Sequence, residues 1–295
     1  MKGNFLALFG HVAIDVTLNV DFLPTKGSVA VNSLKENFGG TAGNFALIGA
    51  RLGLPFHLFS AVSDRSHSNY IKFLKEIGAD ISHLYVDNQD MGPIGYAASN
   101  GTDQIYYFYQ GPMGKPLESR ISLDPSGYQW VHFGTGLPDD YLSISKKCDG
   151  SRIVFDPGQE INYRYDKDNL ERMLEIAHLS IMNEAEVARA EDILGVGQGE
   201  LSDYCSDLIV TRGKNGSSYF KDGNRKDFSA RMVSNPYDTI GAGDAFRAGM
   251  YYAIWRNMPM DKAIELGSAV SAEAIKRPFK EFCMSGDQMF KQISQ

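Results

Sequence analysis

Four runs set the architecture: Trp130-Val131-His132-Phe133-Gly134, Ile153-Val154-Phe155-Asp156, Leu179-Ser180-Ile181-Met182-Asn183 and Leu208-Ile209-Val210-Thr211. Each is short and mostly apolar, and each closes on a glycine or a polar residue. Helical patterns lie between most of them, such as the stretch from Asn169 to Ala177 with its Leu170, Met173 and Leu174. Continuous apolar strands alternating with helices predict a parallel sheet covered on both faces. Ligands of such sheets bind beyond the carboxyl ends of the strands. Asp156, Asn183 and Thr211 stand at three of those ends, which predicts one polar rim.

Outward from this block, the N-terminal run through Phe5, Leu6, Leu8 and Phe9 reads as a buried first strand. It is too short, and lacks the small-residue cleavage pattern, for a signal peptide. The segments Val16 to Phe38 and Gly92 to Tyr109 alternate with period two, as in Gln104-Ile105-Tyr106-Tyr107-Phe108-Tyr109, and predict half-exposed antiparallel strands. The expectation is one α/β domain over 1–295. It has a mostly parallel sheet flanked by helices and a small β-sheet lid whose strands fall within 16–38 and 92–112.

Composition excludes several classes. The 295 residues include 29 Lys and Arg against 36 Asp and Glu, a formal charge of −7. That argues against a nucleic-acid binder, which presents a basic face. No stretch approaches the ~18 apolar residues of a membrane span. Three widely spaced cysteines, Cys148, Cys205 and Cys283, form no disulfide or zinc pattern, and the expectation is a cytoplasmic protein. Six histidines show no metal-ligand spacing, and no Gly-x-Ser-x-Gly hydrolase signature is present.

The segment Asp238-Thr239-Ile240-Gly241-Ala242-Gly243-Asp244-Ala245-Phe246 runs into an apolar helical pattern. Glycines either side of a small residue let backbone N–H groups converge at a helix N-terminus, a geometry that binds phosphate or a developing oxyanion. Asp244 reads either as a first-turn carboxylate favoured by the helix dipole or as a general base. A carboxylate beside an anion site repels the anion, which favours the base. The segment is neither a dinucleotide fingerprint nor a Walker A loop.

Four further segments are suggestive. Phe38-Gly39-Gly40-Thr41-Ala42-Gly43-Asn44 allows close backbone approach and supplies an amide suited to a sugar hydroxyl, or else marks tight helix packing. Asn183-Glu184-Ala185-Glu186 offers oxygen ligands for magnesium or simply starts a helix. Thr211-Arg212-Gly213-Lys214-Asn215-Gly216 is a nucleotide-phosphate contact or an ordinary hairpin turn. Asp15, close after Gly10-His11, accepts hydroxyl hydrogen bonds or is a solvated turn carboxylate.

The order of these pieces resembles the ribokinase-like (PfkB) carbohydrate kinases, over about Gly10 to Ala274. The resemblance implies a Rossmann-like α/β body with a β-sheet lid that often dimerises, and transfer of the γ-phosphoryl group of ATP to a sugar hydroxymethyl group. It implies Asp244 as catalytic base and Gly241, Ala242 and Gly243 as anion hole. Asp15, Gly39, Gly40 and Asn44 become substrate contacts, and Thr211, Arg212, Gly213 and Asn183 nucleotide contacts. Asn183 and Glu186 organise Mg²⁺, largely through water. Gly10-His11, His132, Gly134-Thr135-Gly136 and Asp156-Pro157-Gly158-Gln159 are similar to the archaeal-type nucleoside kinases of the family. A nucleoside is therefore the preferred substrate over ribose, fructose or another sugar, with the lid aromatics Tyr106 to Tyr109 available to stack on a base. A non-catalytic sugar- or nucleoside-binding protein on the same fold is the rival class. Ala274-Ile275-Lys276-Arg277-Pro278-Phe279-Lys280 departs from the family pattern, standing where many members have a Gly-Ala-rich loop near the adenine.

Overall fold

Strand β1, Asn4–Phe9, shows why the main sheet forms. Its alternate residues are buried on opposite sides: Leu6 and Leu8 join one apolar cluster, Ala7 and Phe9 another. A strand covered on both faces needs no polar alternation. The computed structural model describes residues 4–121 and 124–293; the first three residues of the N-terminal run, 122–123 and 294–295 lie outside the described residues.

Along the chain the remaining strands are β2 (Ala13–Val20), β3 (Val31–Gly39), β4 (His57–Ser63), β5 (Leu84–Asp87), β6 (Ile94–Ser99) and β7 (Gln104–Tyr109). They continue with β8 (Tyr128–Phe133), β9 (Arg152–Phe155), β10 (Leu179–Asn183), β11 (Asp207–Thr211), β12 (Ser217–Lys221) and β13 (Asn224–Phe228). Nine of them form one sheet in the order β13-β12-β11-β10-β9-β8-β1-β4-β5. It is parallel except at the hairpin edge, where β12 pairs antiparallel with β11 and β13. The main sheet is thus the mixed, mostly parallel kind that the four opening runs predict.

The helices are α1 (Thr41–Leu52), α2 (Asp64–Glu76), α3 (Pro138–Ser145), α4 (Lys167–Ile176), α5 (Glu184–Leu194), α6 (Ala242–Trp255), α7 (Met260–Ala274) and α8 (Gly286–Ile293). Residues of α1, α6 and α7 join the cluster of Leu6 and Leu8; residues of α3, α4 and α5 join that of Ala7 and Phe9. Because β9, β10 and β11 are neighbours with parallel registers, their carboxyl ends lie side by side. Asp156, Asn183 and Thr211 therefore share one rim.

The other four strands form a second sheet in the order β3-β2-β6-β7. Period two correctly marks its strands, but pairing is not antiparallel throughout: β2 and β6, consecutive neighbours in the centre, run parallel. Alternation records which faces are buried and not strand direction. The small sheet's first strand also begins at Ala13 and not at residue 16. Register sorts the aromatics: Asp15 lies opposite Gly95, and Gly95 opposite Phe108, so these share a face with Thr17, Ala97 and Tyr106. Leu18, Leu34, Tyr96, Ile105 and Tyr107 occupy the other.

Candidate active site

The segment before α6 folds as a tight turn. Asp238 Oδ1 accepts from the Ile240 amide at 2.9 Å, and the Ala242 amide donates to the Thr239 carbonyl at 3.2 Å. Gly241 caps the helix in the left-handed region at φ 80°, where a side chain is strained, and an added Cβ would lie 2.9 Å from the Phe279 ring. The amides of Gly243 and Asp244 fall in the first helical turn, whose N–H groups have no carbonyl one turn earlier. The Ala242 amide is itself turned back into the loop. Phe279, from the departing segment, lies against Gly241. That segment is pinned where Lys276 and Arg277 both reach Glu273, at 2.6 and 2.8 Å.

Asp244, Arg247 and Tyr251 recur at helical spacing on the buried face of α6. Asp244 is 7% exposed. Its Oδ2 accepts from Asn44 Nδ2 at 2.9 Å, and its Oδ1 from Arg247 at 3.0 Å. The same guanidinium donates to Asp156 Oδ1 at 2.6 Å and its Nε contacts Asp156 Oδ2. Asp156 Oδ2 also lies 3.3 Å from His132 Nε2, and His132 Nδ1 is 3.2 Å from the Tyr251 hydroxyl.

Burial pushes Asp244 up to about 7; Arg247 and the Asn44 hydrogen bond pull down, while Asp156 and Asp15 push up. Asp156 is buried too, yet Arg247 and His132 hold it below the usual carboxylate range. Burial lowers His132, which favours its neutral form. A carboxylate poised near neutrality in a polar cleft is the environment of a general base.

Asp15 lies on β2. Burial raises it to about 6, against a lowering hydrogen bond from the Gly40 backbone; Asp238 adds to the rise. A Cβ on Gly39 would sit 1.9 Å from Asp15 Oδ2, so only glycine leaves this carboxylate its place. Tyr70 donates to the Gly39 carbonyl at 3.0 Å and fixes the turn into α1. Asp15 and Gly40 open into a small cleft shared with His11, Phe108, Gln110, Glu160 and Tyr163. His11 is held by Thr135 Oγ1 at 2.8 Å and Gln110 Oε1 at 2.6 Å, and Phe108 stacks on Tyr163 with ring centroids 6.3 Å apart.

At the rim, Asn183 caps α5. Its Oδ1 accepts from the Glu186 amide at 2.9 Å while Glu186 Oε2 accepts from the Asn183 amide at 2.8 Å. This is the helix-start alternative realised as a capping box. It leaves Glu186 beside the cluster, where burial and Asp156 raise its proton affinity. Thr211 stands opposite Asn183 in register, and Gly213 follows in the turn. Arg212 is turned away: its guanidinium bonds Ser218 and, at 3.2 Å, Asp227 across the hairpin. The hairpin alternative thus accounts for its side chain.

The structure brings Asn44 to Asp244, Gly241 near Asn44, and Gly39 and Gly40 beside Asp15. Sequence reasoning missed Arg247, whose only signal was an Arg one turn after an Asp, and the cleft residues Gln110, Glu160 and Tyr163.

Residues 4–284 match the pfkB family of carbohydrate kinases. A nucleoside kinase of Thermoplasma acidophilum is 36% identical over 285 residues, covering 97% of this chain and 94% of the relative. A nucleoside kinase of Methanocaldococcus jannaschii is 29% identical over 273 residues, covering 90% and 89%. The crystal structure of M. jannaschii nucleoside kinase superposes with a TM-score of 0.87 at 26% identity, covering 99% of each chain. The Burkholderia thailandensis nucleoside kinase in complex with inosine shares the fold, with a TM-score of 0.87 at 21% identity over 98% of this chain and 97% of the other.

Proposed function

Because this chain belongs to the pfkB family of carbohydrate kinases, we propose that it transfers the γ-phosphoryl group of ATP to the 5′-hydroxyl of a nucleoside, with Asp244 as base. It is a phosphotransferase acting on a hydroxyl group. The observation that supports the nucleoside assignment is the cleft lined by the Asp15 carboxylate and by Phe108 and Tyr163. A sugar binds by its hydroxyls at one end, and a planar base stacks at the other. The relatives from Thermoplasma acidophilum and Methanocaldococcus jannaschii carry the same activity in their names.

In this reading the hydroxyl oxygen attacks the γ-phosphorus. A new O–P bond forms, the bond to the β,γ-bridging oxygen breaks, ADP leaves, and the hydroxyl proton passes to Asp244. Asp244 is suited to the role because its proton affinity matches neutral pH. Charge on the transferring group meets the first-turn amides of Gly243 and Asp244, which point along the helix dipole. Asp15 accepts two neighbouring sugar hydroxyls, with Asn44 assisting. Phosphoryl transfer asks chiefly for such positioning. The small sheet serves as a lid that excludes water and suppresses ATP hydrolysis.

A magnesium ion fits the rim as a water-bridged guest. Among the described residues no cluster of three His, Cys, Asp or Glu side chains could hold a metal directly. Glu186 and Asn183 supply hard oxygen donors beside the phosphate site, which suits a cation that keeps most of its waters. When bound, Mg²⁺ neutralises phosphate charge.

The lid's far face, with Leu34 62% and Tyr107 61% exposed, supports a homodimer through that sheet. Three free cysteines support a cytoplasmic location, and among the described residues no helix is long and apolar enough to cross a membrane. ADP release measured by a coupled assay with adenosine, inosine, cytidine, ribose or fructose, with and without Mg²⁺, tests the function. Nucleoside-dependent, Mg²⁺-dependent turnover is expected. Ribose-only turnover would overturn the substrate, and tight nucleoside binding without turnover would overturn the kinase reading.

A further inference from the structure

Resting on the reading of Asp244 as base, we propose that Arg247 is its positioning residue: clamped at two points by Asp156, its guanidinium spares one donor for Asp244 and fixes the carboxylate that takes the acceptor's proton. A guanidinium is planar, with donors in a rigid fork. Here Nη2 donates to Asp156 Oδ1 at 2.6 Å and Nε makes an ion-pair contact with Asp156 Oδ2 without a hydrogen bond, whereas Nη1 alone meets Asp244, at 3.0 Å. The division is unequal by geometry. Asp156 is further held by His132, which is held by Tyr251, one turn beyond Arg247 on α6. The Asp156 amide is tied to the Phe133 carbonyl at 2.9 Å. The clamp therefore joins α6 to β8 and to the end of β9, and it leaves Asp244 Oδ2 to Asn44 and the incoming hydroxyl.

Charge counting explains why a shared cation suits the chemistry. Two buried carboxylates face one guanidinium, and His132 is disposed to be neutral. Were Arg247 given wholly to Asp244, the carboxylate would be too weak a base for an alcohol. Without any cation, burial would keep it protonated. The other groups facing the pair are Asp15 from β2 and Tyr70 from α2, near Asp244, and Glu186 from α5, near Arg247. None of these bridges the two carboxylates.

The test compares Arg247→Met, Arg247→Lys and Asp156→Asn with the parent chain, using adenosine, inosine or whichever nucleoside turns over, and ATP with Mg²⁺. Steady-state kinetics are measured from pH 5.5 to 9, with circular dichroism and thermal melting as controls for folding. For Arg247→Met the acid limb of the kcat profile is expected to move up by about one pH unit or more. Its kcat at pH 7 is expected to fall about tenfold or more, with KM for nucleoside nearly unchanged. For Asp156→Asn the limb is expected to move down, because Asp244 loses a neighbouring negative charge and gains a larger share of Arg247. Opposite shifts are a signature that general loosening of the fold does not produce. Unmoved limbs, or limbs moving the same way, would overturn the proposal even if kcat fell. Should either variant fail to fold, Arg247→Lys decides: a lysine keeps the charge but cannot span both carboxylates, so reduced kcat at unchanged KM is expected and parental kcat overturns it. Asp244→Asn separates the two claims. Activity in that variant removes the base reading itself, whereas an inactive Asp244→Asn with unmoved limbs in the others removes only the role of Arg247.

Discussion

Replacing Asp244 by Asn should abolish turnover and stabilise the fold at neutral pH together. In the folded chain the carboxyl titrates at about 7, against 3.8 unfolded. Below about pH 4 it is protonated in both states and contributes no difference. Between 4 and 7 the unfolded chain releases its proton while the folded chain keeps it, so rising pH favours unfolding. Above 7 the buried carboxylate carries its full cost, about 4 kcal/mol at ~1.4 kcal/mol per tenfold change in proton affinity. Asparagine never ionises and escapes this. Its single carbonyl can serve Asn44 or Arg247 but not both, a loss of about 1–3 kcal/mol that does not vary with the titration of Asp244. The variant is therefore expected to melt below the parent near pH 4.5 and to gain on it steadily up to pH 8. The relative shift is about 8 °C, at roughly 2 °C per kcal/mol for a chain of this size. Scanning fluorimetry across that range measures it. In the coupled assay the variant's kcat falls ~10²-fold or more, while parental kcat/KM rises with pH through about 7. Near-parental kcat would refute the base; a melting gap flat with pH would refute the buried ionisation at neutrality.

Other outcomes follow from the same geometry. Asp15→Asn should raise KM for nucleoside about tenfold or more with a smaller effect on kcat, since hydrogen bonds to a charged group carry about 1.5–3 kcal/mol. In the parent, KM should rise below pH 6 as Asp15, titrating at about 6, takes up its proton. Both are read from nucleoside titrations at saturating ATP. Phe108→Ala should weaken nucleosides about tenfold while leaving ribose, if it is turned over at all, unaffected, because a base–aromatic stack contributes about 1–3 kcal/mol. Equal losses for both would place the base elsewhere. The double variant Leu34→Glu, Tyr107→Glu should sediment as a monomer where the parent sediments as a dimer.

Much of the fold could be read along the chain, because burial imprints a period. The runs ending at Asp156, Asn183 and Thr211 are strands whose ends share a rim, as their unbroken apolar character requires. The two period-two segments are the small sheet, though its central parallel pair was hidden, since alternation marks the face of a residue and carries no strand direction. The four aromatics of β7 are legible as a group, and only register divides Tyr106 and Phe108 from Tyr107 and Tyr109. Asn183 and Glu186 had a helix-start reading and a magnesium reading. The capping box realises the first.

Local chemistry along the chain specifies the elements and the chemical parts: a glycine-capped helix start, a carboxylate within it, and glycines where a side chain would collide. These are local properties, set by backbone sterics and by the period of burial. The proton affinity of that carboxylate is set by its surroundings in the folded chain. Asn44 and Asp244 stand 200 residues apart in the chain and 2.9 Å apart in space, and Arg247 divides its charge between Asp244 and Asp156 from 91 residues away. Desolvation and Coulomb forces depend on distance and surroundings in space, which no spacing along a chain records.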